Sequence, residues 1–574
     1  MLPLSFREAV AARIEPETRN QIVSAFASSF ASVQSWLSAL LLVAVRHAAE
    51  DGFRVMRTGG RAFLARPVAD CTPATAAQEN LDRVCAALEA AGVRYFRIRP
   101  KQYERTAVAI RAVDRAAATA ALAAALRRSP AYAAPVARDG SQRDEPKLIR
   151  RGSGLRRFRS HPVIRIAWYR ISSDGHLRYG LDLGCDVEFW GTERGMLAAA
   201  QPNRVLGVLE PEFTAVEVAA SNFSSFVDPY QPSRLYPTHS YVAQKLIDQV
   251  TFPVDAVFTW VNGSDPDWNA RRLEALAQHV GLGPVNSQAA NHARYATRDE
   301  LRYSLRSVMT YAPWIRHIYL VTDDQIPVWL DPSHPRISVI SHRELFDDRG
   351  VLPTFNSHAI ESQLHRIDGL SEHFLYFNDD VFLGRPQPAE TFFHANGMTK
   401  FYPSKALLPM GPRLDDESPA AIAGKNNRLL LEQLTGRVVA AKMRHVPHAL
   451  SKSVLCEIDE KYADLVAKTA SHQFRHPEDI SIASAFAHYY AYATRRATPH
   501  DLSYDYADLA QRSTPRRLSR FLGERSLDVF CLNDTVSSES ELERQTRLLT
   551  WFLEAYFPVP SPFEQDRRNV AGGE

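Results

Sequence analysis

Hydrophobic and polar positions divide the chain into segments of different character. Residues 1–130 carry apolar side chains at helical spacing, for example Leu81, Val84 and Leu88, and so predict a helical N-terminal region. Residues 131–240 begin with prolines, glycines and charges, which indicate a linker. Short apolar runs separated by turn signals follow and predict a β-rich accessory domain. Together these segments form a predicted N-terminal α+β accessory region.

From residue 254 onward the pattern changes to strand, glycine-containing loop, helix and strand, which is typical of a parallel α/β core. The predicted strands and helices of this core cover residues 254–260, 298–311, 315–321, 337–340, 358–370 and 374–377. A partly helical insertion is predicted at residues 408–444. The sequence therefore predicts an α/β fold with a Rossmann-like core in residues 241–535, followed in residues 536–574 by a helix and a disordered polar tail.

Two adjacent carboxylates, Asp379 and Asp380, directly follow the apolar strand at residues 374–377. Open α/β sheets bind their ligands at the carboxyl ends of the strands. Paired oxygen donors suit Mg²⁺ or Mn²⁺, and such ions usually bridge protein carboxylates to substrate phosphates. The pair predicts a divalent-cation site for a phosphorylated or nucleotide-activated ligand, although a helix cap or a solvated turn can have the same sequence.

Asn262, Gly263 and Asp265 follow the first core strand, where a nucleotide-binding α/β fold receives its ligand. Gly263 would let the backbone approach a base or phosphate closely, and Asp265 could accept a hydrogen bond from a ribose or hold a metal. A plain β-turn has the same composition, so both interpretations stay open.

Arg302 and Arg306 lie one turn apart on a predicted helix. Two guanidinium groups at this spacing could hold a diphosphate through bidentate hydrogen bonds. The alternative is an ordinary helix with surface salt bridges.

His358, Glu361 and His365 are spaced so that they share one face of a predicted helix. A metal site with two histidines is conceivable, but the string lacks the His-Glu-x-x-His order of zinc proteases. Glu361 is therefore interpreted as a buried acid close to the Asp379–Asp380 pair.

Imidazoles, a guanidinium group and acids concentrate in residues 444–448 and 471–479, which contain His445, His448 and Arg475. Imidazole is the natural general base for a hydroxyl nucleophile near neutral pH. Arg475 could neutralise charge that develops on a transferred phosphoryl group. We therefore expect catalytic residues in these two segments, although histidine-rich loops are also common at protein surfaces.

Composition limits the remaining possibilities. The 574 residues exceed one ordinary core, and a net charge of +3 from 68 basic and 65 acidic residues gives no field for nucleic acid. Five scattered cysteines without a CxxC pair indicate reduced thiols in the cytoplasm. The apolar run at residues 36–45 is too short to span a bilayer, so it predicts a buried or interfacial helix. Peripheral contact with the inner face of the membrane stays open.

These strings, taken in order, resemble the Stealth family of hexose-1-phosphate transferases. The resemblance covers most of residues 253–535 in four blocks, which contain residues 254–266, 298–380, 445–479 and 531–534. It implies transfer of a hexose 1-phosphate, such as GlcNAc 1-phosphate, from a UDP-sugar donor to the hydroxyl of a saccharide acceptor, with release of UMP. It also implies a GT-A-like nucleotide-sugar core, Mg²⁺ or Mn²⁺, and a role in capsule or exopolysaccharide synthesis.

By position, the resemblance implies that Glu361, Asp380, His445 and Arg475 are active-site residues, and that Asp379 neighbours the metal position. On this basis His445 is the expected general base for the acceptor hydroxyl, with His448 as its rival. Residues 322–325 depart from some family members, which have Asn-Gly before the glutamine. Two alternatives remain: a conventional metal-dependent glycosyltransferase that releases UDP, and a non-catalytic polysaccharide-binding protein. The second would be expected to lose one of these residues, and this sequence keeps them all.

Overall fold

A computed structural model describes residues 52–58, 60–127, 129–149, 155, 157–212, 215–279, 295, 297–414, 417–533 and 539–565. The helix predicted at residues 36–45 and the last residues of the predicted tail, 566–574, lie outside this part of the chain. The structure divides into two compact units. The first contains the described residues up to Cys71, Thr75–Ala215 and Pro237–His239, and the second contains Thr72–Ala74, Val216–Tyr236 and the described residues from Ser240 onward.

The first unit is built on an eleven-stranded sheet in which β7 and β9 pair with several neighbours. Its strands are β1 (Arg54–Thr58), β2 (Arg61–Val68), β3 (Phe96–Ile98), β4 (Thr106–Arg111), β5 (Ala131–Pro135), β6 (Lys147–Leu148), β7 (Val163–Ser172), β8 (Arg178–Tyr179), β9 (Cys185–Glu193), β10 (Met196–Ala198) and β11 (Val208–Leu209). The helices of this part of the chain are Pro73–Glu89 and Arg115–Ala125.

Two predictions for this region need correction. Residues 1–130 are not uniformly helical, because β1 to β4 lie among them, and the segment predicted as a linker contains β5 and β6. The physical reason is visible in β4, where five consecutive residues are buried. A strand buried on both faces loses the period-two alternation of polar and apolar residues, so its sequence can be mistaken for a buried helix.

The second unit contains the predicted α/β core as a five-stranded sheet. After β12 (Ala215–Ala219) and β13 (Leu235–His239), its strands are β14 (Val254–Thr259), β15 (Ile318–Thr322), β16 (Ile337–Ser341), β17 (His373–Asn378) and β22 (His448–Ser451). The order is β16-β15-β14-β17-β22, with the first four strands parallel and β22 antiparallel to β17. The prediction of a parallel α/β core is confirmed.

The remaining elements surround this sheet. The other strands are β18 (Val381–Leu383), β19 (Thr399–Phe401), β20 (Pro403–Leu407), β21 (Ala441–Met443), β23 (Ala497–Pro499), β24 (Tyr504–Asp508) and β25 (Val529–Asn533). The helices are Ser240–Ala243, Pro266–His279, Glu300–Tyr311, His342–Leu345, Ser357–Glu361, Pro419–Thr435, Lys452–Lys461, Ala463–Ser471, Ala487–Ala493, Thr514–Glu524 and Glu539–Tyr556. Among the described residues, no helix combines the length and apolar character needed to cross a bilayer.

Both faces of the core sheet are covered by apolar side chains. Phe258 and Phe377 point to one face and stack with ring centroids 4.7 Å apart, whereas Val257 and Tyr376 belong to the cluster on the opposite face. Full burial on two faces fixes the strand register, since a slip of one residue would exchange the two apolar sets. The carboxyl edge of this sheet is consequently a rigid platform.

The segment after residue 557 is packed against this unit rather than disordered as far as residue 565. Glu564 is buried and binds two arginines: Arg302 Nε lies 2.6 Å from its Oε2, and Arg306 Nε lies 2.7 Å from its Oε1. Arg306 also donates a 2.9 Å hydrogen bond to the carbonyl of Phe557. The prediction that Arg302 and Arg306 bind a diphosphate is therefore corrected, because Glu564 and the Phe557 carbonyl already accept hydrogen bonds from these guanidinium groups.

We expect Glu564→Gln to lower the free energy of unfolding by about 3 kcal/mol, because it leaves the buried Arg306 and the half-buried Arg302 without a counter-charge. Burial raises the pKa of Glu564, but Arg306, the Ser561 N–H and Arg302 together outweigh this effect and hold the pKa below its ordinary value. The stabilisation is therefore complete near pH 7 and is lost as the pH falls below about 4. Denaturant unfolding at several pH values measures it.

Glu554→Gln, on the exposed side of the neighbouring helix, is the matched control and should unfold like the wild type at every pH. Equal stability of the Glu564 variant and the wild type at pH 7 would contradict the structural role of the ion pairs.

Candidate active site

The candidate site lies at the carboxyl edge of the core sheet, where two neighbouring parallel strands end. β14 and β17 pair in register, with Thr259 opposite Asn378. The loop that contains Asn262 therefore starts beside the turn that contains Asp379 and Asp380. This is the edge at which open parallel sheets present ligand-binding groups.

Asp380 contacts two other segments of the chain, one around His445 and one in β25. Its Oδ1 lies 3.1 Å from His445 Nε2, and its Oδ2 accepts a 2.8 Å hydrogen bond from Asn533 Nδ2. The Cys531 thiol lies 3.3 Å from the same Oδ2. Burial raises the pKa of Asp380, but His445 outweighs it and holds the pKa below the ordinary value. Asp380 is thus ionised near neutral pH.

Asp379 has a different environment although it is the adjacent residue. Burial, followed by the negative charges of Asp380 and Glu300, raises the pKa of Asp379 well above its ordinary value. Among the residues that the structure describes, no other side chain donates a hydrogen bond to its carboxylate. Three acids so close together repel one another unless a cation or a proton intervenes. The donor set therefore fits a divalent cation.

The donor chemistry also bears on which cation fits. Asp380, His445 and Cys531 form one of the groups whose potential ligand atoms lie within 4.8 Å of one another. Burial and the charge of Asp380 raise the pKa of the Cys531 thiol well above its ordinary value, so it stays protonated and is a poor ligand. What remains at the sheet edge is mainly carboxylate oxygen, from Asp379 and Asp380, which suits a hard cation such as Mg²⁺.

The structure separates the two candidate histidines. His445 follows β21, and its Nε2 lies 3.2 Å from Asn378 Nδ2 as well as beside Asp380. Burial lowers the pKa of His445, but Asp380 outweighs it and the pKa lies above the ordinary value. His448 is buried in β22 with its Nδ1 2.9 Å from His488 Nε2, and burial lowers its pKa well below the ordinary value. Only His445 faces the carboxylates.

Glu361 and Arg475 complete the charged group. Glu361 ends the helix Ser357–Glu361, and its Oε2 accepts hydrogen bonds from the Ser484 hydroxyl at 2.8 Å and backbone N–H at 3.2 Å. Arg475 donates a 2.7 Å hydrogen bond to the Ser357 hydroxyl. Burial lowers the pKa of Arg475, and the Glu361 carboxylate opposes this shift. Glu361 also raises the pKa of His445, so its charge acts on both residues.

The loop after β14 has a structural explanation. Asp265 Oδ1 accepts hydrogen bonds from the backbone N–H groups of Asp267 and Trp268 and so caps a helix, while its Oδ2 accepts from Gln325. A Cβ atom at Gly263 would lie 2.4 Å from the carbonyl oxygen of Tyr295. A turn that leads into a capped helix therefore accounts for Gly263 and Asp265. Both carboxylate oxygens of Asp265 already accept hydrogen bonds within the protein, which leaves neither free for the predicted contact with a ribose or a metal.

The predicted helix face of His358, Glu361 and His365 does not form, because the helix ends at Glu361 and His365 lies in a separate short turn. His365 Nε2 lies 3.2 Å from Asp459, away from the two-histidine arrangement considered from the sequence. His358 instead lies 3.4 Å from Asp479.

Some residues that support the candidate site could not be identified from the sequence around them. Asp479 is fully buried and accepts hydrogen bonds from Asn356, from His472 and from the backbone N–H of His476, which fixes the loop around Arg475. Burial raises its pKa, but the contacts with His358, with His472 and with the His476 N–H outweigh it and lower the pKa to about 2. Its partner Asn356 is 123 residues away in the sequence. Asn533 lies 153 residues from Asp380, although both belong to motif strings.

Comparisons with known proteins identify the family of the chain. Models of four Stealth protein conserved regions match the chain: region 1 at residues 252–280, region 2 at residues 294–401, region 3 at residues 444–492 and region 4 at residues 520–571. Glu361 and Asp380 lie in region 2, and His445 and Arg475 lie in region 3. The residues that the structure brings together thus come from separate conserved regions.

Two curated relatives and one solved structure illustrate the similarity. The galactosyltransferase LgtC, in complex with donor and acceptor sugar analogues, has a TM-score of 0.27 at 9% identity and covers 52% of this chain and 96% of its own. An exopolysaccharide phosphotransferase of Mycobacterium tuberculosis is 36% identical over 517 residues, which cover 89% of this chain and 92% of the relative. One of Streptomyces coelicolor is 42% identical over 590 residues, which cover 98% and 97%. The chain therefore belongs to the Stealth family, and like these relatives it is a phosphotransferase.

Proposed function

We propose that this enzyme transfers a hexose 1-phosphate from a UDP-sugar to the hydroxyl of a saccharide acceptor, releases UMP, and acts in exopolysaccharide or capsule synthesis. The observation that carries the proposal is the pairing of His445 with Asp380 beside the unneutralised Asp379. This arrangement offers a proton acceptor and a cation site at one sheet edge. The scattered cysteines, without a CxxC pair, support a reducing, cytoplasmic location.

Attack at phosphorus and attack at the anomeric carbon make different demands. Phosphoryl transfer needs positive charge around the equatorial phosphoryl oxygens and a base for the acceptor hydroxyl. Glycosyl transfer needs stabilisation of an oxocarbenium-like centre. Arg475 and His445 supply a fixed cation and a base within the electrostatic reach of Glu361, which favours attack at phosphorus.

Each residue has a role in this proposal. Asp379 and Asp380 hold a divalent cation, which when bound supplies positive charge to the phosphate oxygens of the donor. His445 donates its Nε2–H to the ionised Asp380 and accepts the proton of the acceptor hydroxyl at its other ring nitrogen, Nδ1. Arg475, held by Ser357, stabilises the phosphoryl group as charge builds on its oxygens. The negative charge of Glu361 raises the pKa of His445 and opposes the lowering of the pKa of Arg475.

The released nucleotide tests the reaction directly. We expect the enzyme, incubated with a panel of UDP-sugars, Mg²⁺ and a saccharide acceptor, to release UMP and to attach a sugar phosphate to the acceptor. Chromatography of the nucleotides with phosphorus NMR of the product measures both. Release of UDP with an acceptor that gains no phosphate would show the glycosyltransferase alternative to be right.

Asp379→Asn should abolish turnover without unfolding the protein, because it removes one charged cation ligand and no side-chain hydrogen bond among the described residues. Initial rates over a range of Mg²⁺ concentrations provide the measurement. Asp348→Asn, at an exposed loop position of the same unit, is the control and should keep the wild-type rate. Wild-type turnover of the Asp379 variant in excess chelator would exclude a cation role for this pair.

Removal of the base should slow chemistry more than donor binding. We expect His445→Ala to lose a factor of about 10² to 10⁴ in single-turnover rate. His448→Ala should instead lower the unfolding temperature, because His448 packs in the core against His488, while its folded fraction keeps the wild-type rate. Single-turnover rates normalised to folded protein separate the two, and a wild-type rate in the His445 variant would refute the assignment.

A further inference from the structure

A second cluster of potential metal ligands lies outside the carboxylate pair. His472, His476 and Glu478 each offer a ligand atom, and these atoms all lie within 4.8 Å of one another. The two imidazole rings lie with centroids 4.0 Å apart and planes inclined by 31°. Two nitrogens and one carboxylate oxygen make a donor set different from the oxygen-rich set of Asp379 and Asp380.

The buried Asp479 orients this cluster. Its Oδ1 lies 2.7 Å from His472 Nδ1, which leaves Nε2 of that ring for a ligand. A carboxylate bound to the far nitrogen of a histidine is the usual support of a metal-binding imidazole, since it fixes the ring and increases its basicity. Asp479 Oδ2 also accepts a 2.9 Å hydrogen bond from the backbone N–H of His476, so one carboxylate holds both histidines in place.

The loop that carries the cluster is anchored before any ion binds. Asn426, on the helix Pro419–Thr435, donates hydrogen bonds of 2.9 Å to the carbonyl of Pro477 and 2.7 Å to that of Asp479. Arg413 donates a further 2.8 Å bond to the Pro477 carbonyl. A preorganised loop loses little conformational entropy when a ligand binds.

Glu478 must give up its salt bridge with Lys468 before its carboxylate can bind an ion. Its Oε2 lies 2.8 Å from Lys468 Nζ and 3.7 Å from His476 Nδ1, and both Glu478 and Lys468 are about half exposed, at 46% and 47%. A salt bridge this exposed contributes little, because water screens the charges. A cation with a strong preference for this donor set therefore displaces Lys468 at small cost.

We propose that His472, His476 and Glu478 form a second metal site that binds a Zn²⁺-type transition-metal cation. Two histidines and one carboxylate, with a fourth position open to solvent, match the ligand number and type that Zn²⁺ prefers, whereas Mg²⁺ favours oxygen donors. Because Arg475 lies between the two histidines in the sequence, an ion here clamps the loop that presents its guanidinium group. The site thus positions Arg475 without contacting the substrate.

Spectroscopy tests the site independently of turnover. Metal-stripped protein in excess Mg²⁺ is titrated with Co²⁺, whose visible absorption becomes intense in a tetrahedral site, and Zn²⁺ is then added as competitor. We expect one equivalent of Co²⁺ to bind with intense absorption and one equivalent of Zn²⁺ to abolish it. Absence of this absorption in the wild-type protein would overturn the proposal.

Variants identify the ligands. Glu478→Gln and His476→Ala should each weaken Zn²⁺ binding by more than about tenfold while circular dichroism stays unchanged. His500→Ala, elsewhere on the surface, should bind like the wild type. His445→Ala removes the histidine of the cluster that contains Asp380 and should leave the Co²⁺ absorption intact. If the absorption disappears in that variant but persists in Glu478→Gln and His476→Ala, the ion binds at Asp380 and the proposal is wrong.

Discussion

The hydrogen bonds of the Asp380 carboxylate hold together the candidate site at the carboxyl edge of the core sheet. Asp380 follows β17, yet it binds His445 from the loop before β22 and Asn533 from the end of β25. These partners are 65 and 153 residues away. Each segment alone has many conformations, and fixing them costs conformational entropy that the shared, charge-assisted bonds offset. The position of His445 relative to the cation site therefore depends on Asp380 more than on the backbone that carries His445.

Several acids lie at this edge of the sheet, and neighbouring side chains stabilise the charge of Asp380 more than that of Asp379. His445 and Asn533 stabilise the ionised form of Asp380 through hydrogen bonds, whereas Asp379 keeps a raised pKa beside Asp380 and Glu300. A group of acids attracts cations and repels a bare phosphate. In the proposed reaction, donor binding and cation binding are consequently linked, since the ion would make the edge able to accept a nucleotide phosphate.

The sequence predicted which residues meet at the carboxyl edge of the core sheet better than it predicted the remainder of the molecule. Asp379 and Asp380 were identifiable because a buried strand and its polar end are adjacent in the sequence, and the motif strings added Glu361, His445 and Arg475. Arg302 and Arg306 were misinterpreted because their partner, Glu564, lies about 260 residues away, beyond the last of the motif strings recognised in the sequence. The strands of the first unit were missed where burial on both faces removes the alternating pattern.

The ion pairs of Glu564 also constrain when the second unit can mature during synthesis. Arg306 leaves the ribosome 258 residues before its counter-charge, and at 5–20 residues per second this delay is roughly 13–52 s. Throughout that time the helix Glu300–Tyr311, which packs against β18 in the finished core, carries two guanidinium groups that cannot be buried without cost. Until Glu564 has been synthesised, burial of this helix therefore lacks the ion pairs that stabilise it in the folded unit.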